Sequence, residues 1–475
     1  MAGIVSYGAY VPLWRLARDT IAEAWGSASI GGERSVANND EDAVTMAIEA
    51  ATACLAGRER DRVDAVYFAS TTSPYREKEC ATLVAAAADL RTDIITADFG
   101  NSLRAGTAAL RAALDAVACG SAGQALVVAS DCRPGYPHSN YEQAFGDAAA
   151  ALLIGKDEGA EVTVDSRYSL SNELYDVWRL DKDTYVQSWE ERFIIEHGYM
   201  ENMERAVSVL MQRQGLRSQD ITRAVFYAPT ARAHQGLARR LGLDPNTQLQ
   251  DLLISQVGIT GCAHTLLMLV AALEKAKGGD SILIASYGSG CDAFLLKVTD
   301  DNGTGNQGER GVERWVKSKR QLPTYARYLS YRGLLEPQPG EPIRLFPAAT
   351  TSWRERNWAI RMHGSRCNNC GTVAFPIERV CYNCRRKDDF EEIRLSDKTA
   401  RVFTYTLDNL AGRSDDPTVP QIGVEFGVHK ARAYLLMTDC DPGEVRIDMP
   451  VEMTFRRLYE GAGMYNYFWK CRPIR

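Results

Sequence analysis

Apolar and polar positions change period several times along the chain. Residues Gly3 to Tyr10 alternate with a period of two and stop at Val11-Pro12, which predicts a strand. An Ala-rich helix is predicted over Ala43–Leu55, with Asn39 or Asp40 as its cap. Val63–Ser70 reads as a buried strand, Ala81–Leu90 as a helix, and Asp93–Thr96 as a short apolar strand. Ala105–Ala118 carries apolar residues at helical spacing, and the unbroken apolar run Ala125–Asp131 predicts a strand covered on both faces. The same order of elements then returns. A helix over Glu201–Gln214 precedes strand Ala224–Tyr227, helices Ala233–Leu241 and His264–Lys277, and strand Ser281–Ser286.

The last third of the chain reads differently. The Gly- and Asn-rich stretch 299–311 predicts a surface loop, Trp315–Leu335 an amphipathic helix, and the Pro-rich run from Glu336 a linker. Beyond Trp353 come closely spaced alternating runs at 401–406, 421–426, 432–437 and 451–455, which predict a small β-barrel. The aromatic run Met464–Lys470 is its last strand, with packing favoured over a lid.

Composition narrows the class. A chain of 475 residues implies two to four domains. Its 45% hydrophobic residues and net charge of −6 predict a soluble protein that binds neither nucleic acid nor membrane. The N-terminus has no signal-peptide pattern and no 18-residue apolar span follows, so a cytoplasmic location is expected. Of the 12 cysteines, eight are scattered singly, as reduced thiols are. The other four form the most specific spacing in the sequence, Cys367-x-x-Cys370 and, ten residues on, Cys381-x-x-Cys384. Paired thiolates on two knuckles suit tetrahedral zinc and leave no open position for catalysis, so a structural zinc ribbon is expected.

Candidate chemistry begins where Asp93–Thr96 leads through Ala97-Asp-Phe-Gly-Asn-Ser-Leu-Arg into helix 105–118. A sharp turn from strand to helix exposes one side chain above the helix N-terminus, an arrangement that suits a nucleophile. The run Ser102-Leu-Arg-Ala-Gly-Thr-Ala-Ala resembles the nucleophile elbow of hydroxymethylglutaryl-CoA synthases of the archaeal type, in the thiolase-like superfamily. The lead-in Asp40-Glu-Asp-x-Val-Thr, the pattern Phe145-Gly-Asp-Ala-Ala and the turn Ser286-Tyr-Gly-Ser-Gly support the likeness, which covers roughly residues 1–330.

The resemblance implies a thiolase-like five-layered α/β/α/β/α fold of two related halves, 1–165 and 166–300. A helical linker (301–352), the zinc ribbon (353–395) and an OB-fold barrel (396–475) would follow. The last two resemble the zinc-ribbon/OB-fold partners of thiolase-like enzymes. The resemblance further implies a coenzyme A thioester substrate, a homodimer and, through the C-terminal module, a partner enzyme.

Residue by residue, however, the family's catalytic groups are replaced. Its Cys falls on Leu103, its His on Tyr227, its Asn on Ile259 and its Glu near Thr71, with Glu77 and Glu79 beyond Pro74-Tyr75 as solvent-facing carboxylates. Remaining catalytic candidates are Ser102, Tyr227 and His264. Leu103, Thr71, Ile259 and the turn Tyr287, Gly288, Ser289 and Gly290 are expected to line the substrate pocket. Leucine forms no thioester, so the leading expectation is aldol or retro-aldol chemistry on a 3-hydroxyacyl-CoA without an acyl-enzyme. The alternatives are a Claisen-type acyltransferase or synthase using Ser102, Cys80 or Cys262, and a non-catalytic acyl-CoA-binding or scaffolding subunit.

Overall fold

The computed structural model describes residues 2–156, 159–300, 310–335, 348–413, 416–427, 430–461 and 463–475. The predicted linker from Glu336 and most of the predicted loop 299–311 lie outside these residues. Contacts group the chain into two compact units. One comprises Met1–Ala37, Asp42–Ala85 and Leu90–Tyr328; the other comprises Asn38–Glu41, Ala86–Asp89 and Leu329–Arg475.

In the first unit the opening half supplies β1 (Ala2–Tyr10), β2 (Ala65–Ala69), β3 (Ile95–Phe99), β4 (Ala125–Asp131) and β5 (Ala148–Lys156). The second half supplies β6 (Val162–Ser171), β7 (Arg223–Phe226), β8 (Ser281–Tyr287) and β9 (Gly290–Val298). They form one sheet in the order β7-β8-β9-β6-β1-β5-β4-β2-β3. The halves join where Gly3 and Ile4 of β1 pair with Thr163 and Val162 of β6.

The duplication expected from element order is present in the pairing itself. In the first half β3, β2 and β4 are parallel, and β4, β5 and β1 are antiparallel. In the second half β7 and β8 are parallel, β8, β9 and β6 are antiparallel, and Leu249 makes a parallel bridge to Ala224 of β7 where the first half has β3. Strands β4 and β1 are buried along their whole length, as an apolar run with both faces covered requires.

Helices α1 (Ala43–Cys54), α2 (Ala105–Ala118), α3 (Glu201–Gln214), α4 (Ala231–Arg240) and α5 (His264–Leu273) complete the framework. Helix α1 packs on β1, β4 and β5, α3 on β6, β8 and β9, and α5 on strands of both halves and on α2. The cap of α1 is Asp42, rather than Asn39 or Asp40. Its carboxylate accepts from Val44 and Thr45 N–H at 2.9 Å, and Thr45 Oγ1 accepts from Asp42 N–H at 2.8 Å. The long helix expected over Trp315–Leu335 is two short ones, Glu313–Lys317 and Tyr325–Tyr331, around strand Arg320–Gln321. Pro323 explains the break, since it has no N–H to continue a helix.

The second unit holds two small sheets. Strands β10 (His363–Cys367), β11 (Val373–Ala374) and β12 (Phe390–Arg394) form a three-stranded sheet in the order β11-β10-β12. Strands β13 (Ala400–Asp408), β14 (Val419–Phe426), β15 (Ala431–Leu436), β16 (Pro450–Gly461) and β17 (Met464–Pro473) form a second sheet in the order β15-β14-β13-β16-β17. Burial alternates along β14 and β15, matching the period-two pattern of their sequences. Just past β15, Met437 bridges Cys471 of β17, so the two ends of this sheet meet.

Candidate functional site

The elbow lies between β3 and α2. Asn101 takes a left-handed backbone (φ 63°), which asparagine tolerates better than most residues, and the chain then turns into the helix. The Ser102 hydroxyl donates to the Gly288 carbonyl at 3.3 Å and accepts from Arg104 N–H at 3.3 Å. Leu103 is buried. The Arg104 guanidinium donates to the carbonyls of Leu170 and Ser289 at 3.2 and 3.3 Å and meets the Asp292 carboxylate at 3.4 Å. These bonds clamp the elbow to the turn between β8 and β9. The fit is close, because a Cβ on Gly288 would lie 2.8 Å from Ser102 Oγ and 3.1 Å from Leu103 N.

Ser102 and Leu103 open on a cavity of about 910 Å³, whose wall also includes Ser70, Thr71, Arg133 and Arg179. Thr71 is held by Asp131, a fully buried carboxylate at the end of β4. Asp131 accepts from Ser70 Oγ, Thr71 N–H and Oγ1, Thr72 Oγ1 and Cys262 N–H at 2.7–3.1 Å, so its lone pairs are used within the protein. Arg133, two residues on, is 4% exposed and lies over the Phe145 ring at 4.5 Å.

The other expected residues sit away from this cavity wall. Tyr227 follows β7, where its N–H donates to the Ala285 carbonyl at 3.0 Å. Its ring meets His264 edge to face at 6.0 Å. Among the described residues its hydroxyl has no hydrogen-bond partner. Burial raises its phenol far above the ordinary range, and the positive charge of Arg133 opposes that rise. Burial pushes the His264 imidazole down to about 3, helped by repulsion from His234, so the ring is neutral at ordinary pH. Its Nδ1 accepts from Thr260 N–H at 3.3 Å.

Ile259 contributes backbone to the fold: its N–H donates to Ala144 O at 2.8 Å and its carbonyl accepts from Gly146 N–H at 3.1 Å. Tyr287, Gly288, Ser289 and Gly290 buttress the elbow and do not form the cavity wall. Neither alternative thiol lines the cavity. Burial raises the Cys262 thiol well above its usual range, with the Asp131 charge adding to the effect, and burial raises Cys80 as well. Asp131, Arg133 and Arg179 were not among the sequence candidates. The available signal was charge at the carboxyl end of a buried strand, where α/β sheets place their ligands.

In the second unit the four cysteines converge. Gly371 (φ 72°) donates to the Cys367 carbonyl at 2.9 Å, and Arg385 (φ 62°) donates to the Cys381 carbonyl at 3.0 Å, so one turn is built twice. The two turns bring Cys367 to 3.6 Å from Cys384 and Cys370 to 3.5 Å from Cys381, sulfur to sulfur, and all four sulfurs lie within 4.8 Å of one another. Tetrahedral zinc with bonds of about 2.3 Å sets its sulfurs roughly 3.8 Å apart, so the group fits that ion. No helix among the described residues is long and apolar enough to cross a membrane.

Comparison with known proteins agrees with the architecture. Residues 211–297 match the family described as 3-oxoacyl-[acyl-carrier-protein] synthase III C terminal. Among solved structures, MvaS in complex with 3-hydroxy-3-methylglutaryl coenzyme A superposes with a TM-score of 0.64 at 20% identity, over 73% of this chain and 94% of that one. The 3-oxoacyl-[acyl-carrier-protein] synthase III of Aquifex aeolicus superposes with a TM-score of 0.56 at 20% identity, over 62% of this chain and all of that one. In sequence, the hydroxymethylglutaryl-CoA synthase of Methanopyrus kandleri is 35% identical over 309 residues, 63% of this chain and 88% of that protein. That of Pyrococcus horikoshii is 35% identical over 336 residues, 70% of this chain and 95% of the relative. Given that identity over nearly the whole of the relative, the chain belongs to the hydroxymethylglutaryl-CoA synthase family.

Proposed function

We propose that the protein is an acyl-CoA condensing enzyme, and that the cavity beside the elbow receives the acyl end of a coenzyme A thioester. Family membership favours condensation over the aldol cleavage expected from sequence. The observation that carries the site is the opening of Ser102 and Leu103 on a cavity of about 910 Å³. Carbon–carbon bond formation there needs an enolate from one thioester and a carbonyl acceptor, with a donor for the oxygen that gains charge. The phenol of Tyr227 lies off the cavity wall but within the field of Arg133, which is on it, and is our candidate donor to an acyl group that reaches past Arg133. Neutral His264 sets the angle of its ring.

How the acyl group is held distinguishes the readings. Leu103 offers no sulfur. The Ser102 hydroxyl, the side chain at the elbow able to take an acyl group, is spent on the Gly288 carbonyl and the Arg104 N–H. This supports a thioester held without covalent attachment, and it keeps retro-aldol cleavage of a 3-hydroxyacyl-CoA as the second reading. Incubation with acyl-CoA donors and acceptors, followed by mass spectrometry of products and intact protein, tests all of them. Condensed product with unmodified protein is expected. An adduct on the Ser102 peptide would establish an acyl-enzyme, cleavage without condensation would favour the aldolase, and binding without turnover would leave a non-catalytic subunit.

The remaining assignments are proposals of the same kind. The cysteine cluster supports a structural zinc ribbon, and the meeting of β15 with β17 supports an OB-fold barrel, a module suited to recruiting a partner enzyme. β3 ends the sheet with half-exposed side chains, which supports a homodimer formed along that edge. A cytoplasmic location suits reduced, unpaired cysteines.

A further inference from the structure

We infer that His363 is a proton-operated clamp in the second unit: as an imidazolium it bridges Asp89 and Glu392 and fastens the segment Ala86–Asp89 to the sheet β10–β12, and on losing a proton it loosens that hold. The inference does not depend on the acyl-CoA reading. His363 opens β10, with its Nε2 2.8 Å from Asp89 Oδ1 and its Nδ1 3.0 Å from Oε2 of Glu392 on β12. An ionised carboxylate only accepts hydrogen bonds, whereas a neutral imidazole has one N–H and one bare lone pair. Two carboxylates on the two ring nitrogens are therefore both satisfied by the imidazolium alone. A neutral ring would turn its lone pair onto one of them.

The neighbouring groups favour ionised carboxylates. Asp89 Oδ1 also accepts from Arg361 Nη1 at 2.8 Å and Oδ2 from Arg394 Nη1 at 3.4 Å, and Glu392 Oε2 accepts from Asn357 Nδ2 at 2.9 Å. Arg394 further pairs with Asp397, which lies 3.2 Å from the exposed Lys398. Apart from that lysine, charged His363 completes a set of three cations, with Arg361 and Arg394, against the three carboxylates of Asp89, Glu392 and Asp397. The neutral ring leaves the set one cation short. Burial opposes a charge on His363, but its bonds to Asp89 and Glu392 outweigh that and raise the imidazole above its ordinary range. Asp89 closes the helix Ala81–Ala87 with a left-handed backbone (φ 56°), its N–H donating to Ala86 O at 3.0 Å. Glycine usually ends a helix in that conformation, and aspartate there supplies the carboxylate that the clamp grips. The folded value exceeds the ordinary 6.5, so the clamp's contribution is complete below pH 6.5 and is lost as pH rises through the folded value.

The test is histidine NMR and amide hydrogen exchange on the full chain, with His363→Gln and Glu392→Gln for comparison. Of the six histidine signals, the one lost in His363→Gln should titrate above 6.5 in the wild type. Glu392→Gln should lower that midpoint, because one anionic partner becomes a neutral amide. Exchange in peptides covering 86–90 and 361–366 should be slower in the wild type than in His363→Gln at pH 6, and about equal in the two at pH 9. That ratio should change roughly tenfold for each unit by which the measured midpoint exceeds 6.5. A midpoint at or below 6.5 would overturn the inference. So would a ratio that is the same at pH 6 and pH 9, which would mark a histidine held there by packing. If His363→Gln does not fold, Glu392→Gln decides alone: one wild-type signal should move its midpoint downward, and six unmoved signals would overturn the clamp.

Discussion

At the residue scale the site pairs an inert apex with polar groups of unusual state. Leu103 fills the turn above α2, and the neighbouring hydroxyl of Ser102 is already bonded, so the proposed condensation leaves proton donation to Tyr227. Among the described residues its hydroxyl has no hydrogen-bond partner, and Tyr227→Phe should therefore change stability by less than about 0.5 kcal/mol in urea unfolding. If the phenol donates to the developing oxyanion, the same variant should lower kcat/KM by roughly a hundredfold or more. His264 makes a different prediction. Its folded-state value of about 3, and about 4 for His234, lie below the 6.5 of an unfolded histidine. Between those values the unfolded chain binds more protons than the folded one. The stability that comes from keeping both rings neutral is thus complete above pH 6.5 and is lost as pH falls toward 4 and 3. At pH 5 each contributes a loss of about 2 kcal/mol, and the double variant His264→Asn/His234→Gln should flatten the decline in urea midpoint between pH 7 and pH 5.

At the scale of elements, the site depends on two close approaches of backbone. A Cβ on Gly106, in the first turn of α2, would lie 2.5 Å from the Cys262 carbonyl in the turn that leads to α5. Gly106→Ala should therefore force the two central helices apart and cost about 1–3 kcal/mol, read from the denaturant midpoint. These contacts also show what the sequence could express. Strand β4, helices α2 and α3 and the repeated order of elements were legible because their apolar period is unbroken over a full element. The cap of α1 was misplaced by two residues or more because Asn39, Asp40 and Asp42 are equally good capping types, and only the backbone decides among them. The elbow was legible as a local strand–turn–helix run. The grouping of Arg133 with Arg179 and Thr71 was not, since it arises from elements 46 and 62 residues apart that the sheet order brings to one cavity.

At the scale of the whole molecule, the chain joins a large, well-buried α/β unit to a second unit of small sheets, and different forces hold them. The three-stranded sheet β10–β12 buries Gly364, Ser365, Cys367 and Val373 along β10 and β11, while β12 has no fully buried residue. Apolar burial on that scale does not offset the ordering entropy of some thirty residues at about 1.5 kcal/mol each, so an added constraint is required. Four convergent thiolates supply it if they bind zinc, because such a site forms in the folded state and its binding free energy becomes folding free energy. The prediction is one zinc per chain by native mass spectrometry. Cys370→Ser should lose that stoichiometry, and limited proteolysis of the variant should cut within residues 363–394 while β4 and α2 stay protected. Chelation of the wild type should give the same cleavage pattern, and zinc should reverse it. A wild-type protein that carries no metal, and whose β10–β12 segment resists protease as well as α2 does, would show that packing alone holds this sheet.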